Sequence, residues 1–384
     1  MNIPFHKPII PESFDSIFSK SIKDGWLTTG PQVKHFENDL KKFTKIENIV
    51  AVNSCTAALH LVLAAKGFSK GDKFIAPTYT FVASVEVGEY LGMHPILVDS
   101  KSDNFNMDLN QVEFLLKNDK KIKAIIPVHF AGELVDRKHL NHLSKKYNVF
   151  VLEDAAHSLE SFSSSINNSK NSAVAFSFYA NKNITTGGEG GAIATFDKKL
   201  ADKARHLSLH GMSKDGWGRF KLGSKWRYDV SELGYKYNMT DISASFGIEQ
   251  LDKINQWKFK RLKIVSEYSD GFKNCDGLIC PSTAIDNHSW HLYIIQILPD
   301  KWKISRDEII FKLNNKGVGT SVHYVPVHMH SYYKKKYGLK DYDFPNARAF
   351  FETVISLPLY PLLKIEEVKY IVDTLKILFE KYKT

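Results

Sequence analysis

The chain has 384 residues, 43% of them apolar and 24% charged, with a formal net charge of +10. That length suits two domains, or one large domain with a smaller lobe, and the composition excludes a disordered or fibrous chain. The positive balance favours anionic ligands such as phosphates and nucleotides, but the basic residues are scattered and no nucleic-acid motif accompanies them.

No stretch approaches eighteen uninterrupted apolar residues, and residues 1–8 carry no basic-then-apolar leader, so neither a membrane span nor export is expected. Three cysteines, Cys55, Cys275 and Cys280, are too few for a disulfide framework. Cys275 and Cys280 are close enough in sequence for one bridge or half a metal site, but free thiols in a reducing, cytoplasmic setting are the preferred reading.

In chain order, the first apolar run is residues 49–52. It leads through Ser54 into a helix-period segment, 56–66, closed by Gly67. Ser54 is placed as N-cap, and the free N–H groups at such a helix start form an anion site. Thr56 and Ala57 would offer backbone N–H groups there, and Thr56 its hydroxyl. The second run, 73–76, is followed by Phe81, whose ring could stack on a flat ligand, although a core Phe is the more ordinary reading. Runs at 95–98 and 124–128 come next, then a helix after Asp136 with Leu140, Leu143 and Tyr147 on one face.

The run 149–152 ends in Glu153-Asp154-Ala-Ala-His157. Taken alone, Asp154 is a helix cap. A Ser/Asn-rich loop, 161–172, leads to the run 173–178 and then to Lys182, in Phe-Ser-Phe-Tyr-Ala-Asn-Lys-Asn-Ile-Thr-Thr-Gly-Gly-Glu-Gly-Gly. The last run of this half is 192–195. Strands alternating with helices predict an α/β fold with a mostly parallel seven-stranded sheet flanked by helices, and ligands beyond the carboxyl ends of its strands. The pattern changes near residue 250. A helix starts near Thr240, a strand is expected at 291–298, and an amphipathic helix at 366–379. Residues 1–250 are read as the large domain and 251–384 as a smaller α+β domain.

Lysines usually sit in solvated loops. A lysine held at a strand end is partly desolvated instead, and its amine becomes a nucleophile toward a carbonyl. A strand-end Asp and a Lys on the next strand–turn are the pair that pyridoxal phosphate needs: one keeps the pyridine nitrogen protonated, and the other holds the aldehyde as an imine. Lys182 and Asp154 are therefore the expected catalytic residues, and pyridoxal 5'-phosphate the expected cofactor.

Together these segments resemble the DegT/StrS-type nucleotide-sugar aminotransferases, a branch of the fold-type-I pyridoxal-phosphate enzymes, over nearly the whole chain. The motifs are residues 25–31 (Gly-Trp-Leu-Thr-Thr-Gly-Pro), 127–132 (Pro-Val-His-Phe-Ala-Gly), 153–157, the lysine loop 176–191, 234–241 (Gly-Tyr-Lys-Tyr-Asn-Met-Thr-Asp), 323–328 (His-Tyr-Val-Pro-Val-His) and 356–361 (Ser-Leu-Pro-Leu-Tyr-Pro). The resemblance implies that Lys182 forms the Schiff base and Asp154 holds the ring nitrogen. It implies that His157 contacts the phenolic oxygen, that Thr56, Ala57 and Ser177 hold the phosphate, and that Phe81 stacks on the ring. Asn238 would reach the neighbouring subunit's phosphate, which implies a homodimer with shared active sites. His323, Tyr324 and His328 are the candidate sugar-binding residues. The implied reaction moves an amino group from L-glutamate to a nucleotide-linked keto-sugar.

Three departures matter. Cys55 stands where the family often has Gly, and Lys182 is kept where a dehydratase branch has His. The loop reads Thr-Thr-Gly-Gly-Glu-Gly-Gly, one residue longer than is common in enzymes aminating carbon 4 and equal to those aminating carbon 3. Residues 25–31, Ile184-Thr185-Thr186 and residues 210–217 favour a 4-keto-6-deoxy sugar. Two other classes are weighed. His323, His328 and His330, with His206 and His210 at helical spacing, invite a metal hydrolase, but no zincin-like Glu follows His206, and no metal is expected. A non-catalytic regulator on the same fold has less need of an intact Lys182–Asp154 pair.

Overall fold

A computed structural model describes residues 1–10, 19, 23, 25–163, 169–212, 228–284 and 287–384. The seven apolar runs form seven strands: β1 (Asn48–Val52), β2 (Lys73–Pro77), β3 (His94–Val98), β4 (Ile122–Ile125), β5 (Phe150–Asp154), β6 (Ser172–Ser177) and β7 (Gly191–Thr195). They make one sheet in the order β1-β7-β6-β5-β4-β2-β3, parallel except that β7 runs antiparallel to both its neighbours. Helices α1 (Pro31–Thr44), α2 (Cys55–Ala65), α3 (Ala83–Glu89), α4 (Leu109–Asn118), α5 (Arg137–Tyr147) and α6 (Lys198–Leu207) cover it. The central strands β5 and β6 are buried at every position, which is why they read as continuous apolar runs rather than alternating ones. Of the loop expected at 161–172, residues 164–168 lie outside the described residues.

The strand directions put the ends of β5 and β6 and the start of α2 at one edge. Ser54 caps α2 as expected, its Oγ accepting from Ala57 N at 3.0 Å. Gly191, which opens β7, passes so close that a Cβ there would sit 2.4 Å from the Ser54 carbonyl carbon. Only glycine lets the lysine loop close onto the helix start.

Two motifs far apart in sequence meet at the start of a 32-residue helix, α7 (Asp241–Phe272). The buried Asp241 carboxylate accepts from the N–H groups of Gly30, Gln32 and Val33, so it caps α1 from across the chain. Thr29 donates its hydroxyl to the Met239 carbonyl at 2.6 Å.

Helix α7 runs without a break through residue 250, where the two domains were expected to part. Its first half, with Leu251, Ile254 and Trp257, packs in the core under β1, β6 and β7. Its second half, from Ile264 and Val265, enters another core built around β9 (Tyr293–Ile297). That core includes a three-stranded antiparallel sheet, β10-β9-β8, from β8 (Leu278–Ile279) and β10 (Val354–Leu357). Helices α8 (Arg306–Asn315), α9 (Ser331–Tyr337), α10 (Pro345–Thr353) and α11 (Ile365–Tyr382) complete the C-terminal part. Ile3 is buried in this second core and bridges Val318, so the first residues of the chain pack with the last third. Apolar periodicity reports which face of a segment is buried, not against which partner. Among the described residues no helix is long and apolar enough to cross a membrane.

Beneath the site, Glu153 points to the opposite face of β5 from Asp154. It is 1% exposed and takes bonds from His129 Nε2 (3.0 Å), Arg137 Nε (2.7 Å) and Arg137 Nη2 (3.0 Å). Burial alone would raise this carboxyl, but Arg137 and His129 outweigh it and hold it at about 2 against an ordinary 4.5. A depressed carboxyl stabilises the fold above the unfolded value and loses that contribution as pH falls. The expected result is that acid unfolding between about pH 4.5 and pH 2 is steeper in the parent than in Glu153→Gln. The variant should be destabilised at neutral pH by of the order of 3 kcal/mol, measured by urea titration at several pH values.

Candidate active site

The strand ends open into a cavity of about 500 Å³. Six residues expected around the cofactor line it: Thr56, Phe81, Asp154, His157, Ser177 and Lys182. His323 and Tyr324 close it from the C-terminal part of the chain.

Asp154 ends β5 and is 6% exposed. Its Oδ2 accepts from Ser84 Oγ at 2.7 Å, and its Oδ1 accepts from Ala156 N at 3.1 Å. Cys55 fits at the first position of α2, its Sγ 3.9 Å from Asp154 Oδ1. Burial and the Asp154 charge push its thiol up, so it stays protonated and can only donate. The carboxylate is thus held in one orientation by two firm donors and one weak one, with acceptor capacity left toward the cavity. Ser84 carried no sequence signal of its own. It sits in α3, three residues past Phe81, where the fold alone brings it under β5.

Lys182 follows β6 in a turn whose own backbone closes it, Lys182 N donating to the Tyr179 carbonyl at 2.9 Å. Burial lowers its amine from 10.5 to about 8, against an opposing pull from Cys55 and Asp154. About a tenth of the amine is therefore neutral at pH 7, against well under a thousandth for an ordinary lysine, as a nucleophile requires. The expected result is that the cofactor-free enzyme captures an aldehyde tenfold faster per pH unit below about pH 8 and no faster above it. Stopped-flow absorbance across a pH series measures this directly. A flat profile, or a midpoint near 10, would contradict the partly desolvated, depressed amine.

His157 is 6% exposed. Its Nδ1 accepts from Ala131 N at 3.2 Å, and its Nε2 lies 3.1 Å from the Tyr324 hydroxyl. Phe81 is 56% exposed at the rim, its ring 5.8 Å from that of Tyr324. His323 is anchored through Nδ1 to Ser356 Oγ at 2.8 Å.

Two predicted residues do not offer the cavity the contact expected of them. His328 is fully buried, its Nδ1 bonded to Thr78 Oγ1 at 2.7 Å, and it does not line the cavity. Its neighbours His323 and Tyr324 do, because the chain turns inward after Tyr324 and sends His328 beneath the Thr78 segment. The Ala57 N–H is already taken by Ser54 Oγ, which leaves the Thr56 end of the helix start as the part that lines the cavity. Asn238, expected to reach a neighbouring subunit, lies outside its own chain's cavity, its Nδ2 donating to Thr29 Oγ1 at 2.8 Å and its Oδ1 accepting from Lys236. His206 and His210 do not form a helical pair. Helix α6 ends at Leu207, and His210 has a left-handed backbone (φ 58°) beyond it. Of the stretch 210–217, residues 213–217 lie outside the described residues.

The donor set fits pyridoxal phosphate. Asp154, with its two oxygens fixed, faces the cavity opposite a neutral-capable amine, and the Gly191–Ser54 approach forms a tight cradle beside Thr56 and Ser177.

Comparison with known proteins accords with this geometry. The model of the DegT/DnrJ/EryC1/StrS aminotransferase family matches residues 8–376. The spore coat polysaccharide biosynthesis protein SpsC of Bacillus subtilis is 38% identical over 377 residues, covering 97% of this chain and 96% of that protein. The UDP-4-amino-4-deoxy-L-arabinose–oxoglutarate aminotransferase of Shewanella sediminis is 34% identical, covering 96% of each. The putative sugar aminotransferase Spr1654 from Streptococcus pneumoniae superposes in its PMP form with a TM-score of 0.90 at 35% identity, covering 99% of this chain and 100% of that one. Its PLP form gives 0.89 at 33%, covering 99% of each.

Proposed function

This chain belongs to the DegT/DnrJ/EryC1/StrS family and is a pyridoxal-phosphate-dependent sugar aminotransferase of fold type I, and from that premise we propose that it transfers the amino group of L-glutamate to a nucleotide-linked 4-keto-6-deoxyhexose. The observation that carries this reading is the pairing of a fixed Asp154 carboxylate with the half-buried, depressed amine of Lys182 across one cavity. The choice of carbon and donor is supported by the Shewanella relative, whose name couples a 4-amino sugar to oxoglutarate, and by Ile184-Thr185-Thr186 in the lysine loop.

When bound, pyridoxal phosphate supplies an aldehyde that takes an amine as an imine and a ring that withdraws electrons from it. The chain's residues do the rest. With the cofactor bound, Lys182 would hold the aldehyde, and its amine when free would serve as the base that takes the proton from the donor's α carbon and the acid that returns it. Asp154, kept in place by Ser84 and the Ala156 N–H, would keep the proton on the ring nitrogen. Thr56 and Ser177 would hold the phosphate, and Phe81 would cover the ring. Asn238, on the outside of its own cavity, reaches the phosphate of a second copy, giving a homodimer with shared sites. His323 and Tyr324 face the sugar.

One observation favours amination at carbon 3 instead. The lysine loop carries an extra glycine, accommodated by two successive left-handed residues, Gly187 (φ 87°) and Gly188 (φ 129°). Both readings meet one experiment. The enzyme is loaded with glutamate, the visible band of the lysine-bound cofactor is lost, and nucleotide keto-sugars with the carbonyl at carbon 4 or 3 are added. Return of the band with 4-keto substrates is expected. Return only with 3-keto substrates transfers the assignment to carbon 3, and no loss of the band with glutamate refutes the donor.

A further inference from the structure

Asn183, the residue after Lys182, does not line the cofactor cavity. Its Nδ2 donates to both oxygens of Glu160 at 2.9 Å and to the Ser289 carbonyl at 3.0 Å. Glu160 is 1% exposed and paired with Arg261, which is buried to the same extent. An ionised carboxylate and a carbonyl only accept, so the amide has one orientation: nitrogen toward Glu160, oxygen toward His291. Asn183 Oδ1 lies 3.2 Å from His291 Nδ1, so that ring nitrogen carries the proton.

The His291 ring in turn lies against His157, centroids 4.3 Å apart and planes inclined by 40°. His157 accepts at Nδ1 from Ala131 N, which leaves its proton on Nε2, where it meets the Tyr324 hydroxyl at 3.1 Å on the cavity wall; that hydroxyl is the partner the cofactor's oxygen would replace or share. Both imidazoles therefore have a single tautomer, set by groups outside the cofactor cavity. Four imidazoles feel the Lys182 charge (His6, His157, His291 and His323), and burial depresses them all. With Cys55 held protonated, Lys182 is the group of this cluster that titrates near neutrality.

We propose that Glu160 and Asn183 are positioning residues for the reaction: acting through His291, they hold the His157 ring so that its Nε2–H is presented to the cofactor's phenolic oxygen. This rests on the reading of His157 given above. A donor at that oxygen draws off the negative charge that favours a protonated imine nitrogen, so it lowers the pH midpoint of the lysine-bound cofactor's visible band. Loosening the donor raises it.

The test is the pH titration of that band in the holoenzyme, with melting temperature recorded alongside. Asn183→Ala and His291→Phe remove the same hydrogen bond, the second while keeping an aromatic ring against His157. Each is expected to raise the midpoint by about half a pH unit or more, about threefold in proton affinity. The double variant is expected to match either single one, since both act on one contact. Additive shifts, or a midpoint that stays at the parent value while melting temperature falls, would overturn the proposal and leave a packing role. His157→Ala separates the two layers. If it moves the midpoint and the other variants do not, the positioning role fails alone; if it does not move the midpoint, the His157 reading fails with it.

Discussion

Lys182→Ala is expected to lose multiple-turnover activity by roughly 10⁴-fold or more, the upper range for a positioned acid–base group that is also the covalent anchor. Among the described residues none offers a substitute. Near the cavity the other nitrogen bases are imidazoles, held neutral and in fixed hydrogen bonds: His157 to Ala131 and Tyr324, His291 to Asn183, His323 to Ser356. The variant should fold normally, because the half-buried Lys182 side chain faces the cavity and its amine makes no side-chain hydrogen bond among the described residues, so a smaller apolar group replaces it without stranding a partner. It should show no lysine-bound visible band, yet still bind the aminated cofactor through the phosphate and Asp154 contacts. Absorbance of the purified variant and turnover with glutamate and a nucleotide keto-sugar provide the check. Parent-like turnover would refute Lys182 as the anchor.

Asp154→Asn is the second large effect. The amide is the same size and can keep a partner in Ser84 Oγ, so the fold and the cavity should survive. The charge facing the ring nitrogen is lost, and with it the support for a protonated ring. Removing one preorganised electrostatic partner of a developing charge costs about 10²–10³ in rate, and that range is expected here for both half-reactions. A second readout follows from the same charge. Asp154 opposes the burial-driven fall of the Lys182 amine, so in the variant the midpoint for aldehyde capture should move below about 8. Loss of rate with the midpoint unchanged would mean that Asp154 does not face Lys182 across the cavity as described.

Much of this site was legible before any coordinates, for a physical reason. Strand ends in a parallel sheet are where ligands bind, and a chain that must place Asp154 and Lys182 there does so with apolar runs that stop shortly before them, Asp154 at the end of β5 and Lys182 in the turn after β6. The N-cap at Ser54 was legible because capping needs a short side chain immediately before a helical pattern. What escaped were contacts between residues distant in sequence. Ser84 donates to Asp154 across 70 positions, and Asp241 caps α1 from 208 to 211 positions away. His328 was misplaced for the same reason. A motif shows that His323, Tyr324 and His328 are near one another, not which of them turns toward the cavity.

By itself the sequence showed the seven strands and the helix start at Ser54, because each is encoded in local pattern, apolar period and cap; the Asp154–Lys182 pair and the cofactor followed from the strand ends taken together with the ordered motifs of the family resemblance. The tertiary structure alone decided three other things. It decided that α7 carries the chain from one core into the other without a break, and that the Lys182 amine is depressed to about 8. It decided, too, that Asn183 and Glu160 fix the imidazoles behind the site. Desolvation and hydrogen-bond orientation depend on what surrounds a group in space, and no local pattern carries that.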